Sequence, residues 1–295
     1  MVWQKIAAVT VVVIALPLAG CDGILDPRGP IAASEKLILL DSLAIMLAIV
    51  IPVIVATAGF AWWFRASNPR ATYRPTWAFS GSLELIVWAI PTLVITFLGG
   101  IAWFGSHSLD PYRPLSGNHK AIEIEAVSLD WKWLFIYPDE HIATVNHLVI
   151  AAGTPVHFRI TSASVWNAFF VPQLGSMIYS MAGMTTQLNL QADKPGTFHG
   201  LSAMFSGDKF ADMHFEVQAL DDAAFRQWIA GAKMSGAVLD RAGYATLAAA
   251  SDTAPVSTYR SVDPTLFAAI VAGTAPASAG AANVTASPAT APDKD

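Results

Sequence analysis

Two long apolar segments, close together in the first third of the chain, constrain this sequence more than any other feature. They run from Leu37 to Phe64 and from Leu83 to Phe104. As α-helices they would be about 42 Å and about 33 Å long, against a bilayer hydrocarbon core of about 30 Å. Only 13% of the residues are charged, roughly half the share that is typical of soluble domains. We therefore predict two transmembrane helices, in preference to a buried hairpin of a soluble domain.

The connection between these segments sets their orientation. It contains three arginines and no acidic residue: Arg65, Arg70 and Arg74. Loops rich in Lys and Arg stay on the cytoplasmic side of a membrane. We therefore expect transmembrane helices over residues 37–64 and 81–104, a cytoplasmic loop over residues 65–80, and both flanking parts of the chain outside the cell membrane.

The N-terminus has the pattern of a bacterial secretory signal. Lys5 gives a short positive region, and the apolar stretch Ile6–Leu18 is too short to span a bilayer comfortably. The stretch ends in Leu-Ala-Gly-Cys, which resembles the lipobox of bacterial lipoproteins, and Cys21 is the single cysteine of the chain. We predict a signal peptide over residues 1–20, acylation of Cys21 and an external segment over residues 21–36. The alternative is an ordinary signal with a cysteine there by chance.

A change of pattern near residue 121 marks an external β-domain. Segments such as "AIEIEAVSLDWKWLFIYP" and "VHFRITS" alternate apolar with polar residues and are separated by turn signals. We predict an all-β sandwich of Greek-key type over residues 105–220 and a short helical arm over residues 221–272. Residues 273–295 are mostly small or polar without periodicity, so we expect a disordered tail.

One loop of the β-domain has the spacing of a metal-binding loop. "FHGLSAMFSGDKFADM", residues 198–213, contains two serines four residues apart, a glycine after the second, and a methionine that leads into a strand. This loop resembles the copper loop of subunit II of the haem-copper terminal oxidases, and "SLDWKWLFIYP" resembles the aromatic strand of that family. The resemblance covers residues 15 to about 272 and is most specific over residues 161–217. It implies a two-helix hairpin and a cupredoxin-like sandwich.

In the cytochrome c oxidase branch of this family, the cupredoxin core holds a binuclear copper centre. The resemblance places its first His at Asn167 and its two Cys at Ser202 and Ser206. The Glu, the second His and the Met correspond to Met204, Phe210 and Met213. Neutral hydroxyls and a phenyl ring do not replace thiolate and imidazole ligands, and a lone thioether binds copper weakly. We therefore predict that this chain holds no metal.

This pattern of replacements resembles the quinol oxidase branch, in which ubiquinol delivers electrons to haem in subunit I. The resemblance implies a structural subunit II of a proton-pumping, bo-type ubiquinol oxidase, which reduces oxygen to water. Haems and copper would lie in subunit I, and subunits I, III and IV and membrane lipid would be the partners. The complex would lie in the bacterial inner membrane, with the β-domain in the periplasm. Glu84 matches an acid at the entrance of a proton pathway into subunit I; a solvated acid at a helix start is the alternative.

Three other interpretations stay open at this point. The chain could be a membrane-anchored cupredoxin-like binding module, or a cytochrome c oxidase subunit II that has lost its copper. A copper-binding lipoprotein would need a site without thiolate, for which His199, Met213 and His214 are the candidates, because blue copper requires a cysteine. Nucleic acid is excluded as a partner, since the net charge is −5 and no cluster of Lys and Arg forms a basic patch.

Overall fold

The structure is a computed structural model of the chain. It describes residues 23–72, 74–115, 120–249 and 254–275. The predicted signal peptide, Cys21 and the predicted tail beyond residue 275 lie outside the described residues. The chain divides into two compact units, of which one is Ser34–Asp110 and the other contains the remaining described residues.

Two long α-helices dominate the first unit. α1 spans Pro30–Trp63 and α2 spans Gly81–Ser108, and both are long and apolar enough to cross a membrane. α1 begins at Pro30 rather than at Leu37, and α2 ends at Ser108 rather than at Phe104. The helices extend past the apolar segments because adding a residue to a formed helix needs one hydrogen bond and no apolar side chain.

The second unit is a β-sandwich. The described residues form twelve strands: β1 (Ile122–Leu129), β2 (Lys132–Tyr137), β3 (Ile142–Val145), β4 (His147–Ala151), β5 (Val156–Ser162), β6 (Asn167–Phe170), β7 (Ile178–Ser180), β8 (Thr186–Leu190), β9 (Gly196–Ser202), β10 (His214–Leu220), β11 (Ala237–Leu239) and β12 (Ser257–Val262). One sheet has the order β11-β12-β3-β2-β1-β5-β8, and the other has the order β4-β10-β9-β6-β7. β1 pairs with β5 in parallel, as β4 does with β10, and the remaining pairs of the sandwich core are antiparallel. The predicted all-β, cupredoxin-like sandwich is confirmed.

The core lies between the two sheets and is rich in aromatic side chains. Trp133 of β2 meets Phe169 of β6 edge to face at 5.4 Å, and Phe169 stacks on Phe215 of β10 at 5.2 Å. Gly200 of β9 allows this packing, since a Cβ there would lie 2.0 Å from the ring of Phe215. These contacts join both sheets directly beneath the loop between β9 and β10.

The C-terminal arm contains strands as well as helices. Its helices are α3 (Asp222–Met234), α4 (Arg241–Ala248) and α5 (Leu266–Val271). The prediction of a purely helical arm is therefore incomplete, because β12 pairs antiparallel with β3 and β11 pairs with β12. The exposed edge of β3 supplies the unpaired backbone groups that make a strand of this segment. The arm also covers apolar side chains on the outer face of the larger sheet, among them Val127 and Leu134.

Candidate functional site

The loop between β9 and β10 carries four of the six positions at which the resemblance places copper ligands, namely Met204, Ser206, Phe210 and Met213. Ser202 ends β9, Met213 precedes β10, and a 3-10 turn over Phe210–Asp212 lies between them. Asn167 comes from the start of the neighbouring strand β6. The neighbouring strand β6 therefore places Asn167 beside the loop.

Asn167 and Met213 are in direct contact. Asn167 Nδ2 donates to Met213 Sδ at 3.2 Å and lies 3.4 Å from Ser206 Oγ. The Asn167 Oδ1 accepts from the backbone N–H of Ala168 at 3.0 Å. Asn167 is 2% exposed and Met213 is 1% exposed. The amide thus makes hydrogen bonds where the resemblance implies an imidazole ligand.

Ser202 occupies one of the two positions of the bridging thiolates. It lies opposite Phe169 of β6 and is 3% exposed. Its backbone N–H donates to the carbonyl oxygen of Met213 at 3.1 Å. Its Oγ is buried and has no hydrogen-bond partner in the described part of the chain. A neutral hydroxyl is tolerated there, although burying a polar group without a hydrogen-bond partner lowers the stability of the fold.

Met204 and Phe210 lie in the same loop and are partly buried. The ring of Phe210 makes an edge contact with Phe205, whose centroid lies 5.7 Å away, and Phe205 is 76% exposed. The tip of the loop therefore presents aromatic surface where the resemblance implies a carboxylate and an imidazole.

These side chains do not fit a copper centre. The loop and Asn167 together offer an amide, two hydroxyls, two thioethers and a phenyl ring, whereas copper electron-transfer sites use thiolate and imidazole. In the four described stretches of the chain, no group of three His, Cys, Asp or Glu side chains is placed to hold a metal ion.

The thiolate-free alternative does not converge on one site. Met213 belongs to the buried core, while His214 follows it on the outer face of β10 and is exposed. His199 is also exposed, on β9 opposite Glu216 of β10. The thioether and the two imidazoles therefore lie on different faces of the sheet.

Trp131 is a feature of this region that the sequence pattern did not indicate. It lies in the turn between β1 and β2 rather than in a strand, with a φ of 59° that bulky residues rarely adopt. A Cβ added to Gly207 of the β9–β10 loop would lie 3.6 Å from its indole ring. Its Nε1 is buried and without a hydrogen-bond partner among the described residues. Two-residue hairpin turns usually carry glycine at positions of positive φ, so the Asp-Trp pair gave no sequence signal for this turn.

Glu84 lies in the helical unit, in the first turn of α2. Its backbone N–H bonds to the carbonyl oxygen of Ser80 at 3.0 Å, and its side chain is exposed. It is therefore an accessible acid at the start of a membrane helix. Cys21, the predicted lipidation site, lies outside the described residues.

Comparison with known proteins agrees with the fold. Residues 93–220 match the family model for the periplasmic domain of cytochrome c oxidase subunit II, and residues 233–273 match the COX aromatic rich motif. Cytochrome bo(3) ubiquinol oxidase subunit 2 of Pseudomonas aeruginosa is 48% identical, over 87% of this chain and 78% of the relative. Ubiquinol oxidase subunit 2 of Acetobacter aceti is also 48% identical, over 88% of this chain and 85% of the relative. Quinol oxidase subunit 2 of Bacillus cereus is 35% identical, over 81% and 84%.

A pair of membrane-length helices followed by a cupredoxin-like sandwich and a C-terminal arm defines a subunit II of the haem-copper oxidase class. Within that class, the chain belongs to the ubiquinol oxidase subunit 2 family. The family and the quinol oxidase branch that the sequence indicated are confirmed, and the binding-module and cytochrome c oxidase alternatives are not favoured.

Proposed function

We propose that this chain is the structural subunit II of a proton-translocating ubiquinol oxidase and carries no redox centre of its own. The contact between Asn167 and Met213 is the observation that carries this proposal. An amide, hydroxyls and thioethers cannot accept and release an electron near neutral pH. Electrons would therefore pass from ubiquinol in the membrane to haem and copper in subunit I without crossing this domain. Subunits III and IV would complete the complex.

The proposed location is the bacterial inner membrane, with the β-domain in the periplasm. The three arginines between α1 and α2 support it, because positively charged loops stay in the cytoplasm. An acylated Cys21 would add a lipid anchor on the periplasmic side. Metabolic labelling with a fatty acid tests this addition: label on the wild-type chain that is absent from Cys21→Ser supports the anchor, and an unlabelled wild-type chain overturns it.

Glu84 is proposed to collect protons at the cytoplasmic entrance of a pathway into subunit I. Its exposed position in the first turn of α2 supports the role, since carboxylates at membrane helices usually face water or a partner. We expect Glu84→Ala to lower turnover and proton pumping of the complex, while Asp41→Ala in α1 leaves both unchanged. Undiminished pumping by Glu84→Ala would remove this residue from the mechanism.

Substrate preference of the purified complex tests the proposal as a whole. The complex is isolated through a tag on this chain, and oxygen uptake is measured with ubiquinol and, separately, with reduced cytochrome c. We expect uptake with ubiquinol alone. Uptake with cytochrome c would mean that electrons enter through the β-domain, and a preparation without haem would return the chain to the binding-module class.

A further inference from the structure

The segment before α1 is bound to the β-domain by backbone hydrogen bonds. The N–H of Arg28 donates to the carbonyl oxygen of Gln173 at 2.7 Å. The carbonyl oxygen of Arg28 accepts from the N–H of Asp193 at 2.8 Å. Gly23–Ala33 accordingly belongs to the same compact unit as the β-sandwich. We call these residues, which include the first turn of α1, the N-terminal strap.

The strap fits closely against the sandwich. A Cβ added to Gly29 would lie 2.2 Å from the carbonyl oxygen of Gln191, so any larger residue there would require a backbone shift. Further along the strap, Ile31 packs against Gly175, where an added Cβ would lie 3.0 Å from the Ile31 side chain. Ala32 is 2% exposed. The strap therefore has a fixed position on the loops that follow β6 and β8.

The beginning of the strap is a turn that exposes two apolar side chains. The N–H of Asp26 donates to the carbonyl oxygen of Gly23 at 3.0 Å and closes the turn. Ile24 is 48% exposed and Leu25 is 38% exposed. Because the strap is fixed to the sandwich, these two side chains form an apolar surface of the β-domain itself.

The charged groups around this turn balance one another. Arg28 forms an ion pair with Asp26 at 2.6 Å. Lys194 follows Asp193 in the chain, and both side chains are exposed. The surface therefore does not select a partner by net charge. Two apolar side chains with charged groups beside them suit the boundary between the headgroups and the acyl chains of a bilayer.

The course of the chain brings a lipid surface to this turn. Ile24 lies three residues after Cys21, the proposed lipidation site, so their Cα atoms are at most about 11 Å apart. An acyl chain on Cys21 would hold that residue at the membrane surface, with Ile24 within this distance of it. At the other end of the strap, α1 begins at Pro30 and is long and apolar enough to cross a membrane.

We propose that the N-terminal strap is a membrane-binding element of the β-domain, in which Ile24 and Leu25 insert at the boundary between headgroups and acyl chains. Two transmembrane helices suffice to retain the chain in a membrane, so retention alone leaves an acylated Cys21 without a purpose. Through the strap, the lipid instead fixes the loops after β6 and β8 on the membrane surface. This inference rests on the proposed acylation and on the proposed periplasmic location.

Membrane depth of spin labels tests the proposal in the complete complex, reconstituted into phosphatidylcholine vesicles. One label is attached at Ile24→Cys and the control label at Val238→Cys. The two native side chains are equally exposed, at 48% and 47%. β11, which carries Val238, is the edge strand opposite β8 in the larger sheet, about 29 Å away at the usual spacing between strands. The wild-type chain, treated with the same reagent, gives the background from unmodified Cys21.

We expect the label at position 24 to be severalfold more accessible to oxygen, which dissolves among acyl chains, than to a water-soluble nickel complex. The label at position 238 should show the reverse. Equal nickel accessibility at the two positions would overturn the proposal. Low accessibility of position 24 to both reagents would place the turn against a protein and would also overturn it.

The same preparations separate this inference from the proposals on which it rests. If Cys21 carries fatty acid and position 24 is open to nickel, the inference fails alone. If Cys21 carries none and position 24 still lies among acyl chains, the proposed lipid anchor fails and the membrane contact of the turn stands. A preparation without haem would remove the proposed oxidase function, whatever the depth of position 24.

Discussion

The hydroxyl of Tyr137 makes two hydrogen bonds to the backbone of Val149. It donates to the carbonyl oxygen at 2.9 Å and accepts from the amide at 2.8 Å. Val149 lies in β4, the outermost strand of the five-stranded sheet, whereas Tyr137 lies in β2 of the other sheet. One side chain of the larger sheet thus forms hydrogen bonds with backbone groups of the edge strand β4 and links the two sheets.

Removal of this hydroxyl should therefore destabilise the β-domain. Tyr137→Phe leaves the buried N–H and C=O of Val149 unpaired, at a cost of about 1–3 kcal/mol. Tyr244→Phe is the matched control, because Tyr244 is equally buried and its hydroxyl makes no hydrogen bond to other described residues. Thermal unfolding of the purified complex in detergent measures both. A Tyr137→Phe domain as stable as the control would show that water replaces the lost bonds.

Introducing the metal ligands should create copper binding, because Asn167, Ser202, Ser206 and Met213 already lie close together. The variant carries five substitutions: Asn167→His, Ser202→Cys, Met204→Glu, Ser206→Cys and Phe210→His. With Met213 retained, it has the thiolate, imidazole and thioether donors that copper requires. We expect a pair of copper ions per chain, measured by elemental analysis and by electron paramagnetic resonance.

The control for this experiment is the same variant with Ser202 and Ser206 left unchanged. It keeps both new imidazoles but lacks thiolates, so it should bind copper weakly and without the signal of a thiolate-bridged pair. Equal copper content in the two variants would indicate nonspecific binding by the new histidines. It would contradict the assignment of positions 202 and 206 as those of the bridging thiolates.

Much of the architecture could be predicted from local patterns. The helices α1 and α2 follow from continuous apolar stretches, and the alternation in β5 correctly indicates buried Phe158 beside exposed Arg159. Such patterns depend on neighbours in sequence only. β12 could not be predicted in this way, because its strand conformation depends on the open edge of β3, more than a hundred residues away.

The candidate site was likewise predictable from the sequence only in part. The resemblance indicated which residues replace the copper ligands, but the hydrogen bond between Asn167 and Met213 depends on how β6 lies beside β9 and β10. Trp131 and Gly207 likewise lie in a turn and a loop that are distant in sequence, although a Cβ added at Gly207 would lie only 3.6 Å from the indole ring. Side-chain partners of this kind are determined by tertiary packing, which the local periodicity of the sequence does not reveal.

Lys132 should be required for docking of the C-terminal arm. Its ammonium group is buried and donates to the carbonyl oxygens of Leu247 and Ala249, at 2.8 Å each, at the end of α4. We expect Lys132→Met to cost about 1.5–3 kcal/mol, as is typical of hydrogen bonds to charged groups, and to speed proteolysis within residues 237–262. Lys233→Met, which breaks a surface ion pair with Glu140, should cost less than about 1 kcal/mol. Unchanged protection of the arm in Lys132→Met would show that the apolar contacts of α4 and α5 suffice.

Glu125 should make the stability of the β-domain depend on pH. Burial raises the pKa of its carboxyl above 4.5 and outweighs the opposing effect of Arg159, which lies 2.9 Å away. The folded state therefore binds the proton more tightly than the unfolded state, so this residue's contribution to stability is greatest below pH 4.5 and falls as the pH rises to the raised pKa. Glu125→Gln removes that dependence without adding a charge. We expect the wild type to lose stability relative to Glu125→Gln as chemical denaturation is repeated upward from pH 4.5; a relative gain would mean that attraction to Arg159 outweighs burial.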